Sequence, residues 1–256
     1  LMQLTFLGTG TSMGVPVIGC TCAVCTSADP RNRRMRTSAL LECGDQTILI
    51  DAGPDFREQA LHRRITHLDA VVLTHSHYDH VGGLDDLRPL IPYETCMPVY
   101  GYASTLRDVR ERFSYAFATV QDGSTRPSLE LREIHPLTPF GIGNVTLLPL
   151  DVQHGTWTIA GFRIGRLGYI TDASYLSPET LAHLTDLDVL VLNALRYTDH
   201  PTHFSLPQAL AVIEQLQPQR TFLVHLTHAF DHGAMGDELP PNVALAYDGL
   251  CLTIAE

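Results

Sequence analysis

The sequence has no long apolar run and no secretory signal pattern. Its strongest apolar runs, Ala70–Leu73 and Val189–Leu192, are far shorter than the ~18 residues that a helix needs to cross a bilayer. The first residues contain no basic segment and reach glycine and threonine too early for a signal peptide. These absences argue against a membrane protein and favour a cytoplasmic one.

Positive charge is also scarce. The 256 residues include 17 Lys and Arg against 28 Asp and Glu, a formal net charge of −11. Because phosphate contacts need a basic face, so acidic a chain is a poor general binder of nucleic acids or anionic lipids. One basic stretch is the exception, and it contains Arg31, Arg33, Arg34 and Arg36. It is either a solvated loop or a small anion-facing patch beside a site.

Glycine and proline are too few for a disordered chain. They number 19 and 16, while 45% of the residues are hydrophobic. The length suits one large domain or two small ones, and no linker rich in Gly, Ser or Pro divides the chain. We therefore predict a single domain over residues 1–256.

Short apolar runs rich in β-branched residues recur along the chain and predict strands. They are Leu4–Leu7, Ser38–Glu42, Thr47–Ile50, Ala70–Leu73, Val99–Tyr100, Val145–Leu150, Gly161–Ile164, Gly168–Ile170, Val189–Leu192, Thr221–Val224 and Leu250–Ile254. Helical patterns lie between some of them, at Asp55–Arg64, Leu84–Leu90, Ala103–Phe117, Pro178–Leu184 and Leu206–Gln217. Consecutive strands with helices inserted at intervals favour mixed sheets with helices outside over a strictly alternating fold.

Histidine is in excess and cysteine is clustered. The chain has 13 His and 6 Cys, and three of the cysteines form the run Cys20-Thr-Cys22-Ala-Val-Cys25. Without a secretory signal, such a cluster is more typical of metal ligands than of disulfides. We predict buried thiols for the three others, which lie in apolar stretches: Cys43, Cys96 and Cys251.

Several predicted strands end in a potential metal ligand. The strongest pattern is His-x-His-x-Asp-His, directly after Ala70–Leu73. Imidazole and carboxylate suit Zn, Mn or Fe, and two metals ~3.5–4 Å apart need about six or seven such ligands, including a bridging carboxylate. Across its strand ends, the chain offers His75, His77, Asp79, His80, His154, Asp172 and His225.

The run Thr74-His75-Ser76-His77-Tyr78-Asp79-His80 resembles the signature of the metallo-β-lactamase superfamily. Further matching segments follow in the order that the superfamily requires, namely Leu7–Gly10, Ile50–Gly53, His154, Thr171-Asp172 and His225. The resemblance covers essentially the whole chain. It implies a four-layer αβ/βα sandwich of two mixed β-sheets, with the metals at one edge between the sheets.

Within the superfamily, the cysteine loop at 19–36 resembles that of the PhnP-type phosphodiesterases. The coenzyme PQQ synthesis protein B family shares this loop, but most of its members depart from the full histidine motif. The intact motif here therefore favours a hydrolase.

The resemblance implies a role for each matching residue. One metal is expected on His75, His77 and His154, and the other on Asp79, His80 and His225, with Asp172 bridging both. Asp51 is expected to fix the tautomer of a ligand histidine through a hydrogen bond. A separate structural zinc is expected on Cys20, Cys22, Cys25 and His228, a ligand set typical of closed zinc sites.

His203 aligns with a histidine that PhnP-type enzymes use near the scissile phosphate. It is expected to assist the leaving oxygen, with His200 as the competing choice and a surface histidine as the plain alternative. Together with Asp79 and Asp172 it makes up the predicted catalytic set. The implied reaction is attack of a metal-bridging hydroxide on a small phosphodiester, cyclic ones included, with Zn or Mn as the catalytic metals.

Other functions remain open at this point. A nuclease like the tRNA 3′-processing enzymes uses a similar metal set but usually carries a basic RNA-gripping arm, which is not visible here. A thioester or lactone hydrolase uses similar ligands, and a non-catalytic module would hold metals only for its fold. The predicted partner is a small phosphodiester, with no long nucleic acid and no membrane. Because relatives often pair, a homodimer is also an expectation.

Overall fold

The computed structural model describes residues 1–118, 123 and 125–255. Two seven-stranded sheets form its framework, in the orders β14-β1-β2-β3-β4-β5-β6 and β13-β12-β11-β10-β9-β8-β7. The strands of the first sheet are β1 (Met2–Gly8), β2 (Ser38–Cys43), β3 (Gln46–Ile50), β4 (Ala70–Val72), β5 (Met97–Gly101), β6 (Leu129–Glu133) and β14 (Cys251–Ile254). Those of the second are β7 (Phe140–Ile142), β8 (Val145–His154), β9 (Trp157–Ile164), β10 (Leu167–Ile170), β11 (Val189–Asn193), β12 (Arg220–Val224) and β13 (Val243–Leu245).

Both sheets are mixed. In the first, β14, β1, β2 and β3 pair antiparallel, whereas β3 to β6 pair parallel. In the second, β7 to β10 are antiparallel and β10 to β13 are parallel. The central parallel strands β4, β10 and β11 are short apolar runs in which every residue is buried, as expected when helices cover a sheet.

Helices cover the outer face of each sheet, and the described residues form five α-helices. They are α1 (Phe56–Arg63), α2 (Tyr78–Val81), α3 (Ala103–Arg112), α4 (Pro178–Ala182) and α5 (Leu206–Leu216). Phe56 and Leu106 belong to an apolar cluster on the first sheet, and Leu206 and Ile213 to one on the second. A third cluster, which includes Phe6 and Phe162, fills the space between the sheets. These layers confirm the predicted αβ/βα sandwich.

Some predicted boundaries were wrong. Leu84–Leu90 is a 3₁₀ helix, and the helix predicted over Ala103–Phe117 ends at Arg112 before a 3₁₀ turn at Ser114–Phe117. Cys96 and Cys251 are exposed, although Cys43 is buried as predicted. Cys251 lies on β14, where residues alternate between solvent and core, so an apolar neighbourhood does not decide which way its thiol faces.

No helix in the described part of the chain has the length and apolarity to cross a bilayer. This agrees with the short apolar runs of the sequence.

Asp248 is a partly buried carboxyl in the loop between β13 and β14. It accepts hydrogen bonds from the Met35 N–H (2.7 Å) and the Thr9 hydroxyl (2.8 Å), yet burial raises its pKa from 3.8 to about 7. Because the folded pKa lies above the unfolded one, the folded chain binds an additional proton between these two values. The contribution of this group to the free energy of unfolding therefore decreases as the pH rises through that window.

We expect Asp248→Asn to remove this dependence. From pH 5 to pH 7.5, the free energy of unfolding of the wild type should fall relative to that of the variant by on the order of 2–4 kcal/mol. Urea unfolding of both proteins at the two pH values measures the difference. Parallel pH profiles would show that Asp248 does not titrate in this range.

Candidate metal centre

Three residues of the centre lie within two residues of the end of a strand and share an unusual backbone conformation. Asp51 follows β3, Asp172 lies two residues after β10, and His225 follows β12; their φ values are 60°, 60° and 57°. Left-handed backbone is uncommon in residues other than glycine and often occurs at functional sites. Here the left-handed conformation turns the backbone where each of the three strands ends. All three side chains are buried at one edge of the sandwich.

The first ligand group consists of three histidines. His75 Nε2 and His77 Nδ1 lie 3.0 Å apart, and His77 Nδ1 and His154 Nε2 lie 3.3 Å apart. His75 and His77 follow β4, whereas His154 ends β8 in the opposite sheet. The ring nitrogens meet closely enough for one ion to contact all three.

A tight turn and a carbonyl hold His154 in this position. Gly155 has φ 60°, and a Cβ built there would lie 2.8 Å from a side-chain carbon of Thr202. The turn thereby lets the β8–β9 hairpin approach Thr202, whose carbonyl lies 2.7 Å from His154 Nδ1. That contact leaves His154 Nε2 directed at the other two histidines.

The second ligand group contains Asp79, His80, Asp172 and His225, all of them buried. His80 Nε2 lies 3.3 Å from Asp79 Oδ2 and 3.4 Å from Asp172 Oδ2. His225 Nδ1 lies 3.3 Å from Asp172 Oδ1. The two carboxylates and two imidazoles therefore surround a second small volume.

Asp172 lies between the two groups. Its Oδ2 is 3.7 Å from His75 Nε2 of the first group and 3.4 Å from His80 Nε2 of the second. The structure thus brings together all seven predicted ligands and places Asp172 where one carboxylate reaches both groups.

The second group fits a cation. Asp51 Oδ2 lies 2.7 Å from His80 Nδ1, so this ring nitrogen donates its hydrogen to Asp51, which also accepts from the Thr74 N–H and hydroxyl. His80 Nε2 is buried and has no hydrogen-bond partner within the described residues. Its lone pair therefore faces the carboxylates of Asp79 and Asp172, an arrangement that a divalent ion between them would stabilise.

The protonation of most histidines also suits ligation. Burial lowers the pKa of His75 well below its ordinary value, lowers those of His77 and His154, and lowers that of His225 to about 4. Neutral imidazole is the ligand form. Burial acts the same way on His80, but the carboxylates of Asp172, Asp79 and Asp51 outweigh it and raise its pKa well above the ordinary value. Positive charge is therefore favoured between these carboxylates.

His203 lies nearer to the centre than His200 does. His203 Nε2 is 3.2 Å from Asp172 Oδ2, and its ring centroid is 4.7 Å from that of His154. His200 contacts Thr202 and the far side of His203 instead, through its own Nδ1. Of the two candidates, His203 is the one directed at the ligand groups.

The cysteine cluster forms a separate site. The sulfurs of Cys20, Cys22 and Cys25 lie 3.3, 3.4 and 3.3 Å from His228 Nδ1. A backbone hydrogen bond from Cys25 lowers the pKa of Cys22 to about 6, whereas burial raises that of Cys25 to about 11. His228 lies three residues after His225, so one short segment reaches both sites.

The basic stretch is mostly engaged within the protein. Arg31 pairs with Asp29 and Arg36 with Asp55. Arg34 is 1% exposed and donates to the carbonyls of Thr227 and Phe230. Three of the four arginines thus have partners within the protein, which argues against the anion-facing patch.

Helix α3 supports the histidine motif through contacts that the sequence pattern did not indicate. The Ser76 hydroxyl donates to Asp108, and Arg112 donates to the Ser76 carbonyl. The partners lie 32 and 36 residues away along the chain, and the charged residues of α3 carry no local signal of such a contact.

The family model for the beta-lactamase superfamily domain matches residues 46–226. The chain belongs to the beta-lactamase superfamily. A solved diphosphatase from the PhnP family has the same fold, with a TM-score of 0.92 and 40% sequence identity to this chain. The match covers 98% of this chain and 96% of the diphosphatase chain. The predicted superfamily and PhnP-type resemblance are thereby confirmed.

Two further relatives extend the comparison. A Porphyromonas gingivalis protein named octanoyltransferase is 41% identical over 262 residues, covering 100% of this chain but 52% of the relative. The chain therefore spans about half the length of that protein. Zn²⁺-bound PqqB from Methylobacterium extorquens has a TM-score of 0.82 at 19% identity, covering 98% of this chain and 100% of that one, which shows the shared superfamily fold.

Proposed function

We propose that the chain is a metal-dependent hydrolase of small phosphodiesters that uses two divalent ions, Zn or Mn. The observation that carries this proposal is the position of Asp172 between two ligand groups at one sheet edge. The 40% identity to a PhnP-family diphosphatase supports phosphoryl chemistry over other reactions of this fold.

In this proposal, each ligand group holds one ion. His75, His77 and His154 would hold the first, Asp79, His80 and His225 would hold the second, and the Asp172 carboxylate would serve both. Two such ions supply a reactive water at neutral pH and neutralise charge on phosphoryl oxygens. The protein fixes the ligands beforehand: Asp51 holds the ring of His80, and the Thr202 carbonyl holds that of His154.

We assign a structural zinc to Cys20, Cys22, Cys25 and His228. This ion would join the 19–36 loop to the segment after β12, beside the buried Arg34. Its role would be to keep His225 in place, since the same segment carries both residues.

The proposed substrate is small. The chain has a net charge of −11, and three of the four clustered arginines are engaged internally, so no basic surface is available there for a long polyanion. This favours a compact diester over an RNA precursor.

Hydrolysis of an acyl thioester is a second candidate. One observation favours it: the relative named octanoyltransferase matches this chain over its whole length. However, about half of that relative lies outside the match, so its name describes a larger protein.

A substrate panel separates the two candidates. Zn- and Mn-loaded protein is assayed with bis(p-nitrophenyl) phosphate, a ribonucleoside 2′,3′-cyclic phosphate, octanoyl-coenzyme A and a lactone. We expect kcat/KM for the better diester to exceed that for the thioester and lactone at least ~100-fold. Preferential thioester or lactone hydrolysis would overturn the phosphodiesterase proposal.

We expect His203→Ala to slow diesters with poor leaving groups most. A positioned imidazole that gives a proton to the departing oxygen contributes roughly 10²–10³-fold when that oxygen is basic, and much less when it leaves as p-nitrophenolate. The measurement compares kcat for an alkyl and a p-nitrophenyl diester, with His200→Ala as the matched control. Equal losses on both substrates would show that His203 does not act on the leaving group.

A further inference from the structure

A cavity of about 300 Å³ opens beside the first ligand group, between α3 and the start of β9. It is lined by the buried residues His75 and Ser76, by Ser104 and Arg107 of α3, and by Trp157 of β9. Its size is at the lower end of the range for small-molecule pockets. A group bonded to a phosphate at the ligand cluster would have room to extend into it.

The cavity adjoins the first ligand group through His75 and through Trp157, which packs against His77. His75 is 1% exposed, whereas His77 is only partly buried. Trp157 packs against His77 with ring centroids 4.8 Å apart, and 47% of its surface remains exposed. A half-exposed indole next to a ligand group presents an apolar face to whatever enters from solvent.

Arg107 supplies the cavity with a cation that is not neutralised. It forms no hydrogen bond or ion pair with any residue in the described ranges, unlike Arg31, Arg34 and Arg36. The acid in the same wall, Asp108, is held by the Ser76 hydroxyl. Arg112 fixes the same helix to the Ser76 carbonyl, so the wall that carries Arg107 is tied to the ligand motif.

We propose that this cavity binds the organic portion of the phosphodiester and selects substrates in which that portion carries an anionic group. Trp157 contacts the body of the group, and the Arg107 guanidinium binds its carboxylate or phosphate. The inference rests on the proposed function, because it names the substrate class of the same site. Arg107, and not the arginines of the 31–36 stretch, then binds the additional anionic group of the substrate.

Matched substrates test the inference by turnover. p-Nitrophenyl phenyl phosphate and its 4-carboxyphenyl analogue release the same product and differ in one distal carboxylate. We expect kcat/KM to favour the carboxylated diester roughly 5- to 10-fold, and Arg107→Gln to reduce this preference to within about twofold. Arg110→Gln is the control, since Arg110 lies on the same helix but packs over Phe117, 4.7 Å from the ring centroid. A preference that is missing in the wild type or survives in Arg107→Gln overturns the inference.

A binding measurement tests it without turnover. Trp157 is the only tryptophan, so its fluorescence reports directly from the cavity. We expect 4-phosphonobenzoate to bind several-fold more tightly than phenylphosphonate, and Arg107→Gln to abolish the difference. Equal affinities in the wild-type protein contradict the inference. If instead the affinities differ as expected but neither diester is hydrolysed, the cavity assignment stands and the phosphodiesterase proposal fails.

Discussion

Asp172→Asn is expected to lower kcat/KM for phosphodiesters by roughly 10³-fold or more, because charge stabilisation by a metal pair contributes several kcal/mol to the transition state. The side chain contacts both ligand groups, so the loss of its charge weakens both. Asparagine tolerates the left-handed backbone at this position, where φ is 60°. The fold should therefore persist, as circular dichroism and thermal melting would show.

Asp151→Asn is the control for this variant. Asp151 lies on β8, three residues before His154, and accepts a hydrogen bond from Tyr102 without belonging to either ligand group. It should retain activity within a few-fold of the wild type. Near-normal turnover by Asp172→Asn would show that the carboxylate is not shared by two ions.

Cys22→Ser is expected to change stability more than chemistry. A structural zinc contributes directly to the free energy of folding, and the loss of one thiolate removes several kcal/mol of it. For a chain of this size we expect the melting temperature to fall by about 10 °C or more. Well below that temperature, kcat/KM should stay within about threefold of the wild type.

Cys96→Ser is the matched control, because Cys96 is exposed and lies outside the cysteine cluster. Its melting temperature should equal that of the wild type. An unchanged melting temperature in Cys22→Ser, together with lost activity, would reverse the assignment and place the cysteines in the chemistry.

The main strands were predictable because they are short apolar runs bounded by turn residues. Val189–Leu192 and Thr221–Val224 agree with β11 and β12 to within one residue. Three strands, β6, β7 and β13, were not predicted from the apolar runs. β6 is mostly exposed and carries charged side chains, and β7 and β13 have three residues each, so their local patterns are weak.

The ligand groups were predictable because most of the ligands lie at or just after the ends of strands, and these ends meet at a common edge. Partners that come from tertiary contacts were not. The basic stretch looked like one feature in sequence, yet Arg34 is buried against Phe230 and Arg36 pairs with Asp55. Likewise, nothing local indicates that Asp108 supports Ser76. The single-domain boundary, the homodimer and the cytoplasmic location stay predictions.

Metal content tests the central claim most directly. Protein reconstituted with excess Zn²⁺ or Mn²⁺ and freed of loose ions is analysed by inductively coupled plasma mass spectrometry, alongside Asp172→Asn and Cys22→Ser. The paired-ion centre and the structural zinc together predict three ions per wild-type chain, two in Cys22→Ser, and fewer than three in Asp172→Asn. A single ion per fully loaded wild-type chain would contradict the paired centre.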